Sequence, residues 1–348
     1  MIKVAVGLSG GVDSAVSVLL LQQAGYEPIG VFLRMHQAEQ EAEAARKAAK
    51  ELGIEFYERD MRAQFEQSVL RPFAELYKRG ETPNPCLLCN PSVKFRGLLE
   101  AADALGCEKI ATGHYAAVGE LEGKHLVRRL PDSAKDQSYM LYGLGEEVLS
   151  RLILPLGAWG DKAQIRALAE EKGLSSAQKK DSLDLCFLQP GDSHAAFIET
   201  YTGSAPKAGE IKDLAGNVLG MHAGICNYTV GQRRGLGVAA DQRLYVCALD
   251  PQENTVTLGP KSSVEAQEVY IKDLILHLPL RQGVSAKIRY RDRDTAVCVE
   301  PLEKGRAVLH FDSPKSAAAP GQSAVLYWQD WVLGGGVIEK IDKKYKNI

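Results

Sequence analysis

The sequence predicts an α/β fold: a parallel sheet layered with helices, then a small central domain, then a C-terminal antiparallel β-barrel. Three observations carry this prediction. Residues 1–110 alternate short β-prone runs with longer amphipathic runs that stop at glycine, the pattern of a parallel sheet covered on both faces. Residues 202–249 become glycine-rich, with short strand-like runs between turns. Residues 256–337 alternate β-branched and polar side chains between Gly/Pro turns such as Pro320-Gly321. At 348 residues the chain exceeds one ordinary domain, and the expected division is 1–200, 201–260 and 261–348.

The elements follow in order. Val4–Leu8 reads as a strand and Asp13–Ala24 as a helix ended by Gly25. Ile29–Leu33 is a second strand, and Glu39–Leu52 an Ala/Glu/Lys-rich helix ended by Gly53. Ile54–Tyr57 is a third strand, Gln64–Tyr77 and Phe95–Ala104 are helices, and Ile110–Gly113 is a further strand. This is the strand–helix alternation of a Rossmann-like sheet, in which ligands sit outside the carboxyl ends of the strands. Residues 126–185 read as mostly helical, through Ser138–Leu144, Glu146–Leu154 and Lys162–Lys172. Val284–Tyr290 and Ala307–Phe311 alternate as barrel strands, and the polar tail Lys343–Ile348 is expected to fray.

Composition narrows the function classes. Apolar residues make up 45% and charged residues 25%, ordinary for a water-soluble globular chain, and no apolar run is long enough to span a bilayer. A strand begins right after Met1, without the layout of an export signal, so the expectation is a cytoplasmic protein with no membrane partner. Seven cysteines, an odd number, then read as reduced thiols, metal ligands or catalysts. The net charge is −2, yet residues 281–348 hold 12 Lys/Arg against 8 Asp/Glu, a mild basic bias compatible with RNA contact there.

The most informative stretch is Val4–Ser14, where three apolar β-formers lead into Gly7-Leu8-Ser9-Gly10-Gly11-Val12-Asp13-Ser14 and a helix follows. A strand–loop–helix junction aims unpaired N–H groups and the positive end of a helix dipole at one point. Glycine lets the backbone approach an anion, Ser9 and Ser14 add hydroxyls, and Asp13 suits a bridging Mg²⁺. The plain reading, a glycine-rich turn with Asp13 as a helix cap, stays open at this level. The loop has neither the Walker A nor the G-x-G-x-x-G spacing.

A second stretch, Thr82-Pro83-Asn84-Pro85-Cys86-Leu87-Leu88-Cys89-Asn90, places a C-x-x-C after two prolines. Half of a zinc site, a redox pair, cluster ligands or a catalytic thiol are all open. Cys186, within Asp181–Phe187, reads as a loop or edge thiol, whereas Cys107, Cys226, Cys247 and Cys298 read as core.

The loop S-G-G-V-D-S resembles the pyrophosphate-binding loop of the N-type ATP pyrophosphatases, which cleave ATP between the α and β phosphates. Six ordered motifs then resemble the bacterial tRNA-specific 2-thiouridylase (MnmA-type) family along nearly the whole chain. They are that loop, T-P-N-P-C-L-L-C-N with Lys94-Phe95 after it, T-G-H-Y at 112–115, K-D-Q-S-Y at 135–139, D-L-C-F at 184–187 and Y-T-V-G-Q-R-R-G-L-G at 228–237. There are two departures: the segment after Met35 is short, and position 86 is Cys where some members carry Asp.

The resemblance implies ATP-dependent formation of 2-thiouridine at the wobble position of tRNAs of the Glu, Gln and Lys type, by adenylation of the C2 oxygen and sulfur transfer. It implies ATP on Gly7–Ser14, Met35 and Gly113, with Mg²⁺ on Asp13. It implies tRNA contacts at Asn84, Pro85, Cys86, His114, Lys135, Asp136, Gln137, Arg289, Tyr290 and Gln322. Two sulfur-delivery schemes remain: a persulfide on Cys186 resolved by Cys89 through a disulfide, or a 4Fe-4S cluster on Cys86, Cys89 and Cys186. A sulfur-donor protein or a sulfide source is the implied partner. An amide- or imine-forming ligase using the same loop is the competing enzyme, and it needs no cysteine at 89 or 186.

Overall fold

The structure, a computed structural model, describes residues 1–36, 39–130, 133–159, 161–179, 185–188 and 191–339. The tail Lys343–Ile348 and residues 181–184 of the Asp181–Phe187 stretch lie outside the described residues. The chain forms two compact units. One comprises Met1–Val69, Cys86–Leu183 and Gln329–Leu333, the other Leu70–Pro85, Asp184–Trp328 and Gly334–Ile348.

The first unit is a five-stranded parallel sheet. Its strands β1 (Lys3–Gly7), β2 (Glu27–Arg34), β3 (Phe56–Asp60) and β4 (Lys109–Ala111) stand in the order β3-β2-β1-β4, with Leu152–Ile153 beyond β4. Val4, Ala5 and Val6 are wholly buried, as a central strand covered on both faces requires. In the register Val6 faces Gly30 on one side and Ala111 on the other. The chain steps outward from β1 through β2 to β3, then returns to the other side of β1. This reversal leaves a crevice at the carboxyl ends of β1 and β4. Helix α1 (Val12–Gln23) buries Ala15, Val16, Val18 and Leu21, and Gly25 ends it with φ +82°. Helix α2 (Glu39–Leu52) buries a stripe of Ala42, Ala45, Ala48, Ala49 and Leu52.

Between β4 and Leu152–Ile153 the structure departs from the helical expectation. Ala117–Leu121 and Lys124–Arg128 form a hairpin across Glu122-Gly123, both in the left-handed region, a two-residue turn that suits the twist of paired strands. Ser138–Leu141 is a single 3₁₀ turn, and Glu146–Leu154 splits into a short helix and the strand Leu152–Ile153. The hairpin is continued within this unit by Trp331, which pairs with Arg128.

The second unit contains a four-stranded sheet, in order Tyr245–Asp250, Thr255–Gly259, Gly209–Lys212, Val218–His222. It is packed around Ile211, Tyr228, Leu236, Val246, Leu249, Val256 and Leu258. Beyond it six antiparallel strands, from Glu265–Leu276 to Trp331–Ile338, close into a barrel, because the last pairs with the first (Ile271 with Ile338). The strand predicted to run to Tyr290 ends at Lys287. The backbone turns there, with the Asp292 N–H donating to Arg289 O and Lys315 Nζ 2.9 Å from Asp292 Oδ2. Cys107 is buried and Cys226 and Cys247 are half-buried. Cys298, expected in the core, is exposed, because the alternation of Thr295–Leu302 turns it outward beside His310.

Candidate nucleotide loop and thiol sites

The loop after β1 is built by close approach. Gly10 has φ +70°, and a Cβ there would stand 2.8 Å from Ala44 Cβ and from Ala45 N. The alanine stripe of α2 and the glycine of the loop therefore fit each other. Ser14 Oγ donates to Gly11 O at 3.0 Å and accepts from the Ser9 N–H at 3.2 Å, tying the loop into a ring. The first bond into α1 runs from the Ala15 N–H to Gly11 O. The N–H groups of Gly11, Val12, Asp13 and Ser14 thus precede the intrahelical ladder, and Gly11 provides no side-chain cap. They form an anion seat with the positive end of α1 behind it.

Asp13 is held from both sides. Its Oδ1 accepts from Tyr115 OH at 2.7 Å, and its Oδ2 lies 2.6 Å from Lys162 Nζ. Lys162 opens the helix Lys162–Glu171, capped by Asp161, whose side chain accepts from the Ala163 N–H. Lys179 Nζ reaches Gly10 O at 3.4 Å. Two ammonium groups therefore stand at the loop. A Mg²⁺ held with substrate phosphates needs one or two carboxylates, so the residues fit such an ion with Asp13 as its protein ligand.

Gly113 follows β4, and a Cβ on it would stand 2.9 Å from Asp13 C and 3.0 Å from Ser14 N. Any side chain at 113 would push on the loop. Met35 follows β2, half-buried, with its Sδ 3.6 Å from Cys89 Sγ. Cys86 and Cys89 lie one turn apart on the helix Pro85–Cys89, Cys86 exposed and Cys89 buried. Burial pushes the Cys89 thiol up, and Lys94 only partly offsets it. As it stands, Cys89 is not the accessible, acidic thiol that exchange chemistry favours.

His114 stacks on Phe95, its Nδ1 2.7 Å from Thr112 Oγ1. Burial, followed by the charge of Lys94, holds the imidazole well below its ordinary pKa, so it is neutral at pH 7. Gln137 is clamped to Tyr115: its Oε1 accepts from the Tyr115 N–H and its own N–H donates to Tyr115 O. Asp136 accepts from the Leu130 N–H at 3.0 Å and from Ser138 Oγ at 2.8 Å. Both side chains thus shape the segment around Lys135, which is itself exposed.

In the second unit, Leu185 and Phe187 pack on an aromatic cluster, Phe187 lying 5.3 Å from Phe73 and 4.8 Å from Phe197. Cys186, between them, is in a turn and exposed. Thr82 is tied three ways: its N–H donates to Pro320 O, its carbonyl accepts from Gln322 Nε2 at 2.6 Å, and its Oγ1 is 3.2 Å from Thr229 Oγ1. The lead into Asn84 and Pro85 is anchored by these bonds, and the Gln322 amide is committed to them. Arg289 is likewise occupied, its Nε donating to Ala317 O at 3.0 Å. It steadies Ala317, which has φ +60°, and so braces the barrel turn. Tyr290 is half-buried in the turn that follows.

Among the described residues no three His, Cys, Asp or Glu side chains converge on a metal position. Cys86 and Cys89 belong to the first unit and Cys186 to the second. No helix among the described residues is long and apolar enough to cross a membrane. A cavity of about 470 Å³ lies between Asp60–Gln64 and Arg96/Glu100, away from the loop, and its Asp60–Arg62 and Arg96–Glu100 charges are already paired.

Residues 2–190 match the family described as the tRNA methyl transferase HUP domain, and 195–260 its PRC-barrel domain. Residues 267–338 match an aminomethyltransferase beta-barrel domain. The tRNA-specific 2-thiouridylase MnmA of Pelotomaculum thermopropionicum is 41% identical over 357 residues, covering 97% of each chain. The chain belongs to the tRNA-specific 2-thiouridylase family. The proteins of that name from Moorella thermoacetica and Acetivibrio thermocellus are 41% and 40% identical, each over 97% of this chain and 99% of theirs.

Sequence reasoning missed Lys162, Tyr115 and Lys179 as groups at the loop. Tyr115 stood inside the T-G-H-Y motif without a role, and Asp161-Lys162 carried a helix-cap signal. Lys179 had no signal, because only the folded chain brings it to Gly10.

Proposed function

We propose that the protein forms 2-thiouridine at the wobble position of tRNAs of the Glu, Gln and Lys type, using ATP. The observation that carries this reading is the anion seat at Gly11–Ser14, flanked by Lys162 and Lys179, in a member of this family. ATP binds with its phosphates at Gly7–Ser14 and its nucleoside toward Met35 and Gly113. A Mg²⁺ on Asp13 would offset phosphate charge when bound. The uridine C2 oxygen attacks the α-phosphorus and pyrophosphate leaves. The seat and the two lysines stabilise the charge that develops on the departing group. A sulfur nucleophile then adds at C2, and AMP leaves with the former carbonyl oxygen.

Sulfur delivery runs through thiols in this reading. Exposed Cys186 suits the persulfide acceptor, taking sulfane sulfur from the persulfide of a donor protein, whose thiol is released. Buried Cys89 suits the later resolving thiol: once the outer sulfur of the Cys186 persulfide has added at C2, the Cys89 thiolate attacks Cys186 Sγ, the S–S bond breaks, the uridine departs with the outer sulfur, and a Cys89–Cys186 disulfide is left for a reductant to open. Asn84, Pro85, Cys86, His114, Lys135 and Tyr290 face the tRNA, while Asp136, Gln137, Arg289 and Gln322 support the surfaces that do. We further propose the division 1–200 for chemistry, 201–260 as the central domain and 261–348 as a tRNA-contacting barrel, in a cytoplasmic protein.

The test is AMP release from labelled ATP with wobble-uridine tRNA, scoring thiolated tRNA alongside, for wild type, Cys89→Ser and Cys186→Ser. Loss of thiolation with retained tRNA-dependent AMP release supports the assignment. Full thiolation by either variant removes the sulfur relay, and AMP release that ignores tRNA moves the amide-forming ligase to the front.

A further inference from the structure

The stretch Tyr228–Gly237 has no role in the chemistry above, yet it is braced along its length. Its two ends are sunk in the core of the central sheet: Tyr228 and Leu236 are buried there, and Val230 and Val238 pack against it. Between these anchors the Gln232 side chain holds the loop from within. Its Oε1 accepts from the Thr229 N–H at 3.0 Å and its Nε2 donates to Arg234 O at 3.0 Å. Backbone bonds from the Gly231 N–H to Val246 O and from the Val246 N–H to Gln232 O fix the base. Gly231 has φ +85°, and a Cβ on it would collide with Ala317 Cβ and stand 2.9 Å from Arg289 Nη2, so the loop is seated against the barrel turn.

At the tip of this rigid loop stand Arg233 and Arg234. Both are exposed, and among the described residues neither guanidinium has an acidic or carbonyl partner. Several other arginines are spent on partners: Arg34 on Glu58, Arg59 on Glu100, Arg62 on Asp60, Arg306 on Glu339. Two adjacent uncompensated cations on a braced tip are pre-organised for an anion that the chain does not itself supply. The loop also meets the segment that leads into Asn84, proposed above to face the tRNA, since Thr229 Oγ1 lies 3.2 Å from Thr82 Oγ1 two residues before it.

We propose that Arg233 and Arg234 grip consecutive phosphates of the tRNA backbone next to the nucleotide being modified, registering the anticodon arm rather than reading its bases. This rests on the thiolation reading and adds to it a specific anchor. Arginine suits the task because its fork meets phosphate oxygens bidentately.

The experiment measures affinity for an unmodified wobble-uridine tRNA transcript by fluorescence anisotropy, across a salt series from about 50 to 200 mM. Wild type, Arg233→Gln, Arg234→Gln, the double Gln variant and the double Lys variant are compared, with wild-type thiolation scored in parallel. Each lost phosphate contact lowers the slope of log affinity against log salt by about 0.7–0.9, so the double Gln variant should lose about 1.4–1.8. The double Lys variant should keep most of that slope. A double Gln variant with the wild-type slope, in a protein that thiolates tRNA, overturns the anchor and leaves the thiolation reading standing. A wild-type protein that neither binds nor thiolates tRNA overturns the thiolation reading itself. Should the double variant fail to fold, the two single variants decide by the same slope.

Discussion

Gly10→Ala is the substitution whose cost can be worked most directly from the structure. It adds two separable penalties. An alanine at φ +70° takes up a left-handed conformation, which costs about 1–2 kcal/mol, offset in part by the reduced freedom of the unfolded chain. The new methyl would then stand 2.8 Å from Ala44 Cβ and from Ala45 N, against an ordinary contact of about 3.5–4.0 Å. Those atoms belong to the body of α2 and cannot swing aside, so overpacking adds about 1–3 kcal/mol. Gly25→Ala isolates the first penalty, because Gly25 has φ +82° with nothing within 4 Å. Gly7→Ala has neither: its methyl would meet Thr112 Cγ2 at 3.6 Å, an ordinary contact. Urea titration should therefore rank the losses Gly10→Ala at about 2–4 kcal/mol, Gly25→Ala at about 1 kcal/mol and Gly7→Ala below that. A Gly10→Ala loss no larger than that of Gly25→Ala would refute the close packing of loop on α2.

Three further outcomes are expected. The His114 pKa is depressed in the folded protein, so the unfolded chain binds more protons below about pH 6.5, and stability is full above that pH and falls as pH drops toward the folded pKa. In urea midpoints from pH 7.5 to 5, His114→Gln should be flatter than wild type by up to about 1.4 kcal/mol per pH unit; parallel curves would contradict a neutral imidazole in the folded protein. Brief alkylation of the folded protein followed by mass mapping should label exposed Cys86, Cys186 and Cys298 well before buried Cys89, and equal labelling would show that Cys89 is open to solvent. Lys162→Met should lower tRNA-dependent AMP release by at least about tenfold while costing only about 1 kcal/mol of stability, since the pair with Asp13 is partly solvated. A variant as active as wild type would remove Lys162 from the phosphate site.

The architecture was legible where local and global signals agree. β1 reads as a buried strand because nothing polar interrupts Val4–Val6, and Gly25 and Gly53 mark helix ends, α1 stopping at Gln23 and α2 at Leu52. The hairpin Ala117–Arg128 was overlooked because its strands are polar on the exposed face and its turn, Glu122-Gly123, is a weak signal beside Asn-Gly. The barrel strand stopped short of Arg289 because a distant ion pair, Lys315–Asp292, and the carbonyl of Ala317 reward a turn that no local pattern foretells. At the site, motifs located the loop and the thiols, but the division of labour within them was hidden. Asp136, Gln137, Arg289 and Gln322 spend hydrogen bonds on neighbouring backbone, and only folding reveals which side of a motif faces inward.

Trp331 carries a consequence for how the chain is made. Its indole lies under the Arg128 guanidinium at 4.8 Å, and the neighbouring Asp330 accepts from the Arg129 N–H and side chain across a separation of 201 residues. The N-terminal unit is therefore finished by residues that leave the ribosome 201 positions after the hairpin strand they complete. At about 5–20 residues per second, the outer edge of the hairpin waits roughly 10–40 s for its partner, exposed to any strand that comes near. A nascent chain stalled or cleaved before residue 329 would keep the nucleotide loop and yet retain a raw sheet edge, so partial synthesis of this protein is a sticky product rather than an inert one.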